Sequence, residues 1–295
     1  MNGASTQLES VEKTPARATR LRTWRAWPGA QRFRSPGLCI GVAIIAFWVL
    51  CALFGPALVR FDPYATDLLA TLVPPDATHW FGTDPLGRDV FSRVIVGSRD
   101  ILVIAPLATL LGVSVGTFLG LALGYFGGAL DAIAGRLLDA LMSLPLIVLA
   151  LMTLAAVGSS KLAVVVVIGL VYVPLVTRTV RSAVRAQRTL DYVGAARLGG
   201  ASALSIMFVE ILPNVRQPVL IEAIVRLGYA FFTVGTLSFL GLGIQPPSAD
   251  WGLAIADGSA LLVSGFWWIV VFNAAAIISL VVATNLIADG FHAFD

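Results

Sequence analysis

The sequence contains few residues whose types and spacing could perform a covalent reaction. Gly112, Ser114 and Gly116 form a G-x-S-x-G pattern, which holds the nucleophile of many serine hydrolases when it lies between a strand and a helix. Here the pattern lies inside an apolar, glycine-rich run, and the only histidines are His79 and His292. Because a serine nucleophile needs a base within reach, we interpret the match as accidental and expect both histidines to be solvated.

Patterns for metal or nucleotide chemistry are absent from the sequence. There is no H-E-x-x-H, no cluster of cysteines and histidines, and no G-x-x-x-x-G-K-[ST] phosphate loop, so the ligands for zinc or a nucleotide are missing. We therefore predict no catalytic residue, no metal and no cofactor in this chain. If nucleotide energy drives the protein, another polypeptide must bind the nucleotide.

Three charged residues near the ends of apolar runs are candidates for a transport pathway, because ionisable groups in a bilayer are costly and usually functional. Glu222 and Arg226 are four residues apart. On a helix they face each other, so they could neutralise locally or take part in transport. Asp139 could form a hydrogen bond between helices or line a cavity.

The elements that must position these residues are membrane helices. Hydrophobic residues make up 58% of the chain and charged residues 13%, whereas soluble domains average about 45–50% and about 25%. The apolar runs are long, and they lack the alternation of barrel strands. We therefore predict an all-α fold with six transmembrane helices: Leu38–Val59, a run between Asp100 and Asp131, Leu137 to Val157, Leu162–Thr177, Val219 to Ile244, and Phe266 to Ala288.

The distribution of basic residues predicts the orientation. Lysine and arginine concentrate in residues 1–37 and 178–218 and are absent from 245–265, so the positive-inside rule places the first two segments, and both termini, in the cytoplasm. The predicted divisions are a basic tail at 1–37, a first helix and extracytoplasmic loop at 38–100, and a core transmembrane domain at 101–292 with the loop 178–218. A net charge of +3 is too small to indicate nucleic-acid binding.

A stripe of small residues runs along the second predicted helix. Gly112, Gly116, Gly120 and Gly124 recur at every fourth position, so they share one helix face and let another backbone approach closely. The pattern predicts tight packing against a helix of this chain or of a partner subunit.

The loop after the fourth predicted helix carries the most specific pattern. Arg178, Arg181, Arg185 and Arg188 would form one basic stripe on a helix that continues into the cytoplasm, and alone they would indicate anchoring to anionic lipid. Small residues follow in the segment DYVGAARLGG at 191–200, where they would leave a helix surface open.

This segment resembles the cytoplasmic coupling loop of permease subunits in ATP-binding-cassette (ABC) importers. The family pattern is E-A-A, three residues, Gly, nine residues, then I-x-L-P, and the matching residues here are Ala195, Ala196, Gly200, Leu212 and Pro213. Two positions depart from it: Gly194 replaces the glutamate, and Glu210 occupies the isoleucine position, with Ile211 one residue later. The resemblance implies that a coupling helix contacts an ATPase through Asp191, Tyr192, Gly194, Ala195, Ala196, Arg197 and Gly200.

A second resemblance narrows the family. Residues 81–99, beginning FGTDPLGRD, are similar to the signature after the first helix of dipeptide and oligopeptide permease subunits, and residues 238–252 and 285–290 resemble later segments of the same subunits. Without the family, the charged residues of the first segment could form a solvated, self-paired loop or contact substrate or receptor directly. They are Asp84, Arg88, Asp89 and Arg93.

Together the motifs resemble the second, C-type permease of a bacterial dipeptide or oligopeptide ABC importer. The family implies a multi-pass inner-membrane subunit that pairs with a second homologous permease, two ABC ATPase domains and an extracytoplasmic binding protein. Related permeases carry nickel chelates, haem or other small solutes, so these remain alternative cargoes. A secondary transporter would need a midplane ion site and often an internal repeat, neither of which the sequence contains.

Overall fold

The computed structural model describes residues 36–292, and this part of the chain is helical without β-strands. Ten α-helices, one π-helix and one 3-10 turn follow each other along it. The segments are α1 (Pro36–Leu58), α2 (Val90–Phe126), α3 (Gly128–Met142), α4 (Leu146–Val157), α5 (Lys161–Gln187), α6 (Asp191–Leu198), α7 (Ala203–Ser205), a π-helix (Ile206–Ile211), α8 (Leu212–Phe239), α9 (Trp251–Ser259), a 3-10 turn (Leu262–Ser264) and α10 (Trp268–His292). The predicted basic tail lies almost entirely outside the described residues.

Five of the described helices are long and apolar enough to cross a membrane, and α3 with α4 makes a sixth candidate if the bent pair counts as one span. The all-α prediction is confirmed. The prediction of one continuous helix over Leu137–Val157 is wrong, because α3 and α4 meet at an angle of 84°. Pro145 causes the break, since a proline lacks the backbone N–H and disfavours helical geometry in the residue before it.

The ends of three other spans can be compared with the prediction. α2 begins at Val90 rather than beyond Asp100, because Asp89 caps it by accepting a hydrogen bond from the Ser92 amide at 2.8 Å. α5 continues past Thr177 to Gln187, which confirms the predicted extension beyond the apolar run. α8 ends at Phe239, before the predicted end at Ile244.

The glycine stripe of α2 packs against α5. A Cβ atom added at Gly116 would lie 2.6 Å from the Cβ of Val176, and one at Gly120 or Gly124 would lie 2.7 Å from the Cβ of the valine it faces, Val180 or Val184. No side chain larger than hydrogen fits there without moving the helices. The predicted tight packing is therefore confirmed, within this chain, and the G-x-S-x-G pattern lies inside this continuous helix.

α1 lies on the outside of this pair, against α2 and α10. The Trp48 indole donates a hydrogen bond to Ser279 Oγ at 2.7 Å, and its ring packs edge-on against Trp251. The exposed side chains of α1 include many large apolar ones, such as Phe47, Leu50 and Leu53. Such a surface suits lipid.

Candidate functional site

The short helix α6 lies between α5 and α8 and is held by its inward face. The Val193 side chain is fully buried, and the Tyr192 hydroxyl donates to Gln187 Oε1 at 2.9 Å, which joins α6 to the end of α5. Burial raises the pKa of the Tyr192 phenol above its usual value, so this hydroxyl stays neutral and able to donate.

A hydrophobic cluster, which we call the elbow cluster, connects α6 to the helices around it. Val193 contributes from α6, and the remaining members come from α2, α5, the π-helix and α8: Leu121, Val176, Val180, Val184, Ile206, Met207, Ile211 and Val215. The Arg197 guanidinium also lies 5.0 Å from the ring centre of Tyr125, at the end of α2. α6 is thus packed as part of the same body as the ends of α2, α5 and α8.

The outward face of α6 is open. Asp191, Gly194, Ala195 and Leu198 follow helical spacing and are all exposed, Leu198 at 93%. A Cβ at Gly194 would meet no atom within 4 Å, so nothing in the described chain requires glycine at the position of the family glutamate. An exposed leucine beside small residues forms a shallow apolar surface that a partner could cover.

The segment after α6 accounts for the second departure from the family pattern. Ile211 is fully buried in the elbow cluster, whereas Glu210 is only half-buried. The isoleucine one residue later therefore occupies the core position. Pro213 lies where the π-helix passes directly into α8, and Gly200 ends the preceding turn with φ of 80°, a left-handed conformation that favours glycine.

Three of the four arginines in the α5 stripe bind other segments of the chain, and the fourth, Arg178, is exposed. Arg181 and Arg185 both form ion pairs with Asp131, a buried carboxylate in the first turn of α3. Arg188 donates to the carbonyl oxygen of Tyr125 at 3.1 Å, at the end of α2. These three side chains thus hold the ends of α2 and α3 against α5, and the interpretation of the stripe as a lipid anchor does not apply to them.

The charged loop before α2 lies at the other end of the helices, and it is buried. Asp84 and Asp89 are each 4% exposed and Arg93 is 3% exposed, so the prediction of a solvated loop is wrong, although the self-pairing is confirmed. Asp84 Oδ2 accepts from Arg88 Nε at 2.6 Å and lies 3.7 Å from Arg93 Nε. Asp89 pairs with His79 at 2.9 Å, so this histidine has a partner and is not simply solvated.

Arg93 connects three separate segments at this end. Its guanidinium donates to the carbonyl oxygens of Pro63 at 3.1 Å and Ser248 at 2.8 Å, and it faces Asp84. The Trp268 indole adds a fourth connection by donating to the carbonyl oxygen of Thr83 at 3.0 Å. The four charged motif residues therefore hold the loops together, because they bind each other and backbone groups of this chain.

The candidate pathway residues separate into a pair and a single residue. Arg226 Nε donates to Glu222 Oε1 at 2.6 Å, as the four-residue spacing predicts, and Glu222 also accepts from the Thr179 hydroxyl of α5 at 3.3 Å. Asp139 lies on the exposed face of α3, apart from that pair.

Two buried carboxylates were missed by the sequence reasoning. Asp131 had no local signal, because it is buried only where α3 meets Arg181 and Arg185 of α5. Asp250 had none: it caps α9 by accepting from the Leu253 amide at 2.8 Å, and its burial raises the pKa to about 6. Burial of this kind depends on segments distant in sequence.

Comparisons with known proteins agree with this geometry. A family model for the binding-protein-dependent transport system inner membrane component matches residues 116–294. The chain is 38% identical to the probable D,D-dipeptide transport system permease protein DdpC of Escherichia coli, over 88% of this chain and 86% of that protein. It is 35% identical to the di/tripeptide transport system permease protein DppC of Pseudomonas aeruginosa, over 85% of each chain. The dipeptide transport system permease protein DppC of Escherichia coli is 36% identical, over 88% of each.

Proposed function

Because this chain belongs to the family of binding-protein-dependent transport system inner membrane components, we propose that it is the C-type permease subunit of an ABC importer for dipeptides or oligopeptides. The names of the relatives favour peptides over nickel chelates or haem. The mechanism rests on α6, a short helix outside the membrane spans. Its inward face packs against the neighbouring helices, and its outward face is exposed.

In this proposal α6 is the coupling helix and docks on an ATPase. Asp191, Gly194, Ala195 and Leu198 form the docking face, while Tyr192, Ala196 and Arg197 fix α6 to the spans and Gly200 ends the segment. When the ATPases close on ATP, they push on α6. Since the elbow cluster makes α6 one body with the ends of α2, α5 and α8, the push rotates these helices and changes the side on which the pathway is open.

The proposal includes the topology and the partners. The α6 end of the bundle is cytoplasmic, in agreement with the positive-inside rule, and both termini lie on that side. The loop end, held by Arg93, faces the binding protein. A second homologous permease completes the pathway, two separate ATPase domains bind all the ATP and Mg²⁺, and this chain holds no cofactor and performs no catalysis.

Substitution on the two sides of α6 tests the coupling role. In the complete importer reconstituted in nanodiscs, Ala195→Arg should abolish the ATPase activity that the peptide-loaded binding protein stimulates, because the long side chain occupies the docking face. Ala186→Arg is the matched control, since Ala186 is exposed at the end of α5 but lies outside that face. Gly194→Glu should be tolerated, because the position is open and the family pattern has glutamate there.

The test of α6 is valid only if the variant complexes still assemble. Copurification of both permeases, measured by size-exclusion chromatography, should be the same for Ala195→Arg, Ala186→Arg and wild type. Normal stimulation in Ala195→Arg would refute the assignment of α6, and an equal loss in both variants would show that charge at this end, not docking, causes the effect.

A further inference from the structure

One face of α8 is polar along about half of its length. Five residues form what we call the α8 polar stripe: Glu222, Arg226, Tyr229, Thr233 and Thr236. At 100° per residue they fall within about 80° of the helix circumference and extend for about 21 Å. None of them is placed there by helix capping, since α8 runs without interruption from Leu212 to Phe239.

This face is unsuited to lipid. Tyr229 is 57% exposed, Arg226, Thr233 and Thr236 are partly exposed, and Glu222, at the end of the stripe, is largely buried at 9%. The exposed faces of α1 and α10 carry apolar side chains such as Phe47 and Ile278 instead. Because polar and charged side chains in a span face a protein or a water-filled cavity, the stripe marks the side of this subunit that is turned away from lipid.

Contacts with neighbouring side chains fix the position of the Arg226 guanidinium in the stripe. Arg226 Nε binds Glu222, and the guanidinium lies 5.5 Å from the ring centre of Tyr229 and 6.0 Å from that of Tyr172. The Tyr172 hydroxyl shares a hydrogen bond of 3.0 Å with Thr233. A guanidinium also carries N–H donors on both Nη atoms, so a carboxylate could bind Arg226 without displacing Glu222.

We propose that the α8 polar stripe is a binding site for the transported peptide in the translocation pathway. This inference rests on the proposed function and adds to it the residues that touch the cargo. Arg226 takes the peptide's carboxylate and Glu222 its ammonium group, so the pair matches a zwitterion. The hydroxyls of Thr233 and Thr236 donate to the carbonyl oxygens of Tyr229 and Phe232, so their oxygens accept from the N–H of the peptide bond. The same pair stays neutral between transport cycles, which removes the cost of an unpaired charge in the membrane.

The test measures dialanine uptake and ATP hydrolysis by the complete importer in proteoliposomes. In Arg226→Gln, uptake should fall about tenfold or more, the effect of one charge-assisted hydrogen bond, and the ATP hydrolysed per dialanine delivered should rise by a similar factor. Arg226→Lys keeps a positive charge and should recover most of the uptake. Arg216→Gln is the matched control, because Arg216 is exposed on the same helix but away from the stripe, and its uptake should equal that of wild type.

Each other outcome has a definite meaning. Unchanged uptake in Arg226→Gln overturns the inference. A parallel fall of uptake, ATP hydrolysis and thermal stability also overturns it, since that result identifies the stripe as contact surface with the second permease. Failure of the wild-type importer to take up dialanine in response to ATP refutes the proposed function instead, and this inference with it.

Discussion

The contact between the glycine stripe of α2 and the valines of α5 makes a quantitative prediction for Gly120→Ala. The new Cβ would lie 2.7 Å from Val180 Cβ, 2.9 Å from its Cγ1 and 3.0 Å from the Arg181 amide nitrogen, whereas apolar carbons are most stable about 3.5–4.0 Å apart. α2 and α5 must therefore separate locally by about 1 Å. We expect the overpacking to cost about 2–3 kcal/mol.

The helix preference of alanine offsets part of this cost. Alanine is more favourable than glycine in a helix by about 1 kcal/mol, so the net loss of stability should be about 1–2 kcal/mol and the fall in Tm about 2–6 °C. Gly55→Ala in α1 is the matched control, because its Cβ would lie 3.5 Å from the nearest atom of Val96, an ordinary contact. That variant should keep or slightly raise the Tm.

Thermal unfolding of the detergent-solubilised protein, followed by tryptophan fluorescence, measures both variants. The double variant Gly120→Ala/Val180→Ala should lose less stability than the two single variants added together, because the alanine methyl group occupies space that the valine vacates. Equal Tm values for Gly120→Ala and Gly55→Ala, or strict additivity in the double variant, would refute the close-packing argument.

Three further predictions concern the polar contacts. Asp131→Ala should lower the Tm more than Arg185→Ala, because the buried carboxylate pairs with two arginines whereas Arg185 is half-exposed; both are measured by thermal unfolding. Burial raises the pKa of Asp250 from 3.8 to about 6, so the folded state binds this proton more tightly than the unfolded state does. The contribution of Asp250 to stability should therefore fall by about 2 kcal/mol as pH rises from 4 to 6, and Asp250→Asn should flatten that part of the pH profile of Tm. Arg93→Lys should lower the Tm by several degrees, because an ammonium group cannot reach all three of its partners, and should speed proteolysis of the loop before α2.

The sequence alone predicted the features that depend on residues close together in the chain. The apolar runs predicted the spans, the four-residue glycine spacing predicted a packing face, and the spacing of Glu222 and Arg226 predicted their ion pair, which has an N–O distance of 2.6 Å. Each of these follows from the geometry of one helix.

The features that failed depend on distant segments. The charged residues near Arg93 are buried because Pro63 and Ser248 supply acceptors, and no local pattern indicates that partnership. The ion pairs of Arg181 and Arg185 depend in the same way on Asp131, which lies on α3. The break between α3 and α4 is different, because its cause is local: Pro145 lacks a backbone N–H and disfavours helical geometry in the residue before it.

The glycine–valine contact also constrains how the protein is synthesised. α2 is synthesised before its partner α5, and α3 and α4 lie between them in the chain. In the interval the glycine face from Gly112 to Gly124 lacks the valines that cover it in the finished fold. A nascent chain that stalls before Val176 therefore lacks the principal partner of α2, and a stop at this point should leave a less stable fragment than a stop after α5.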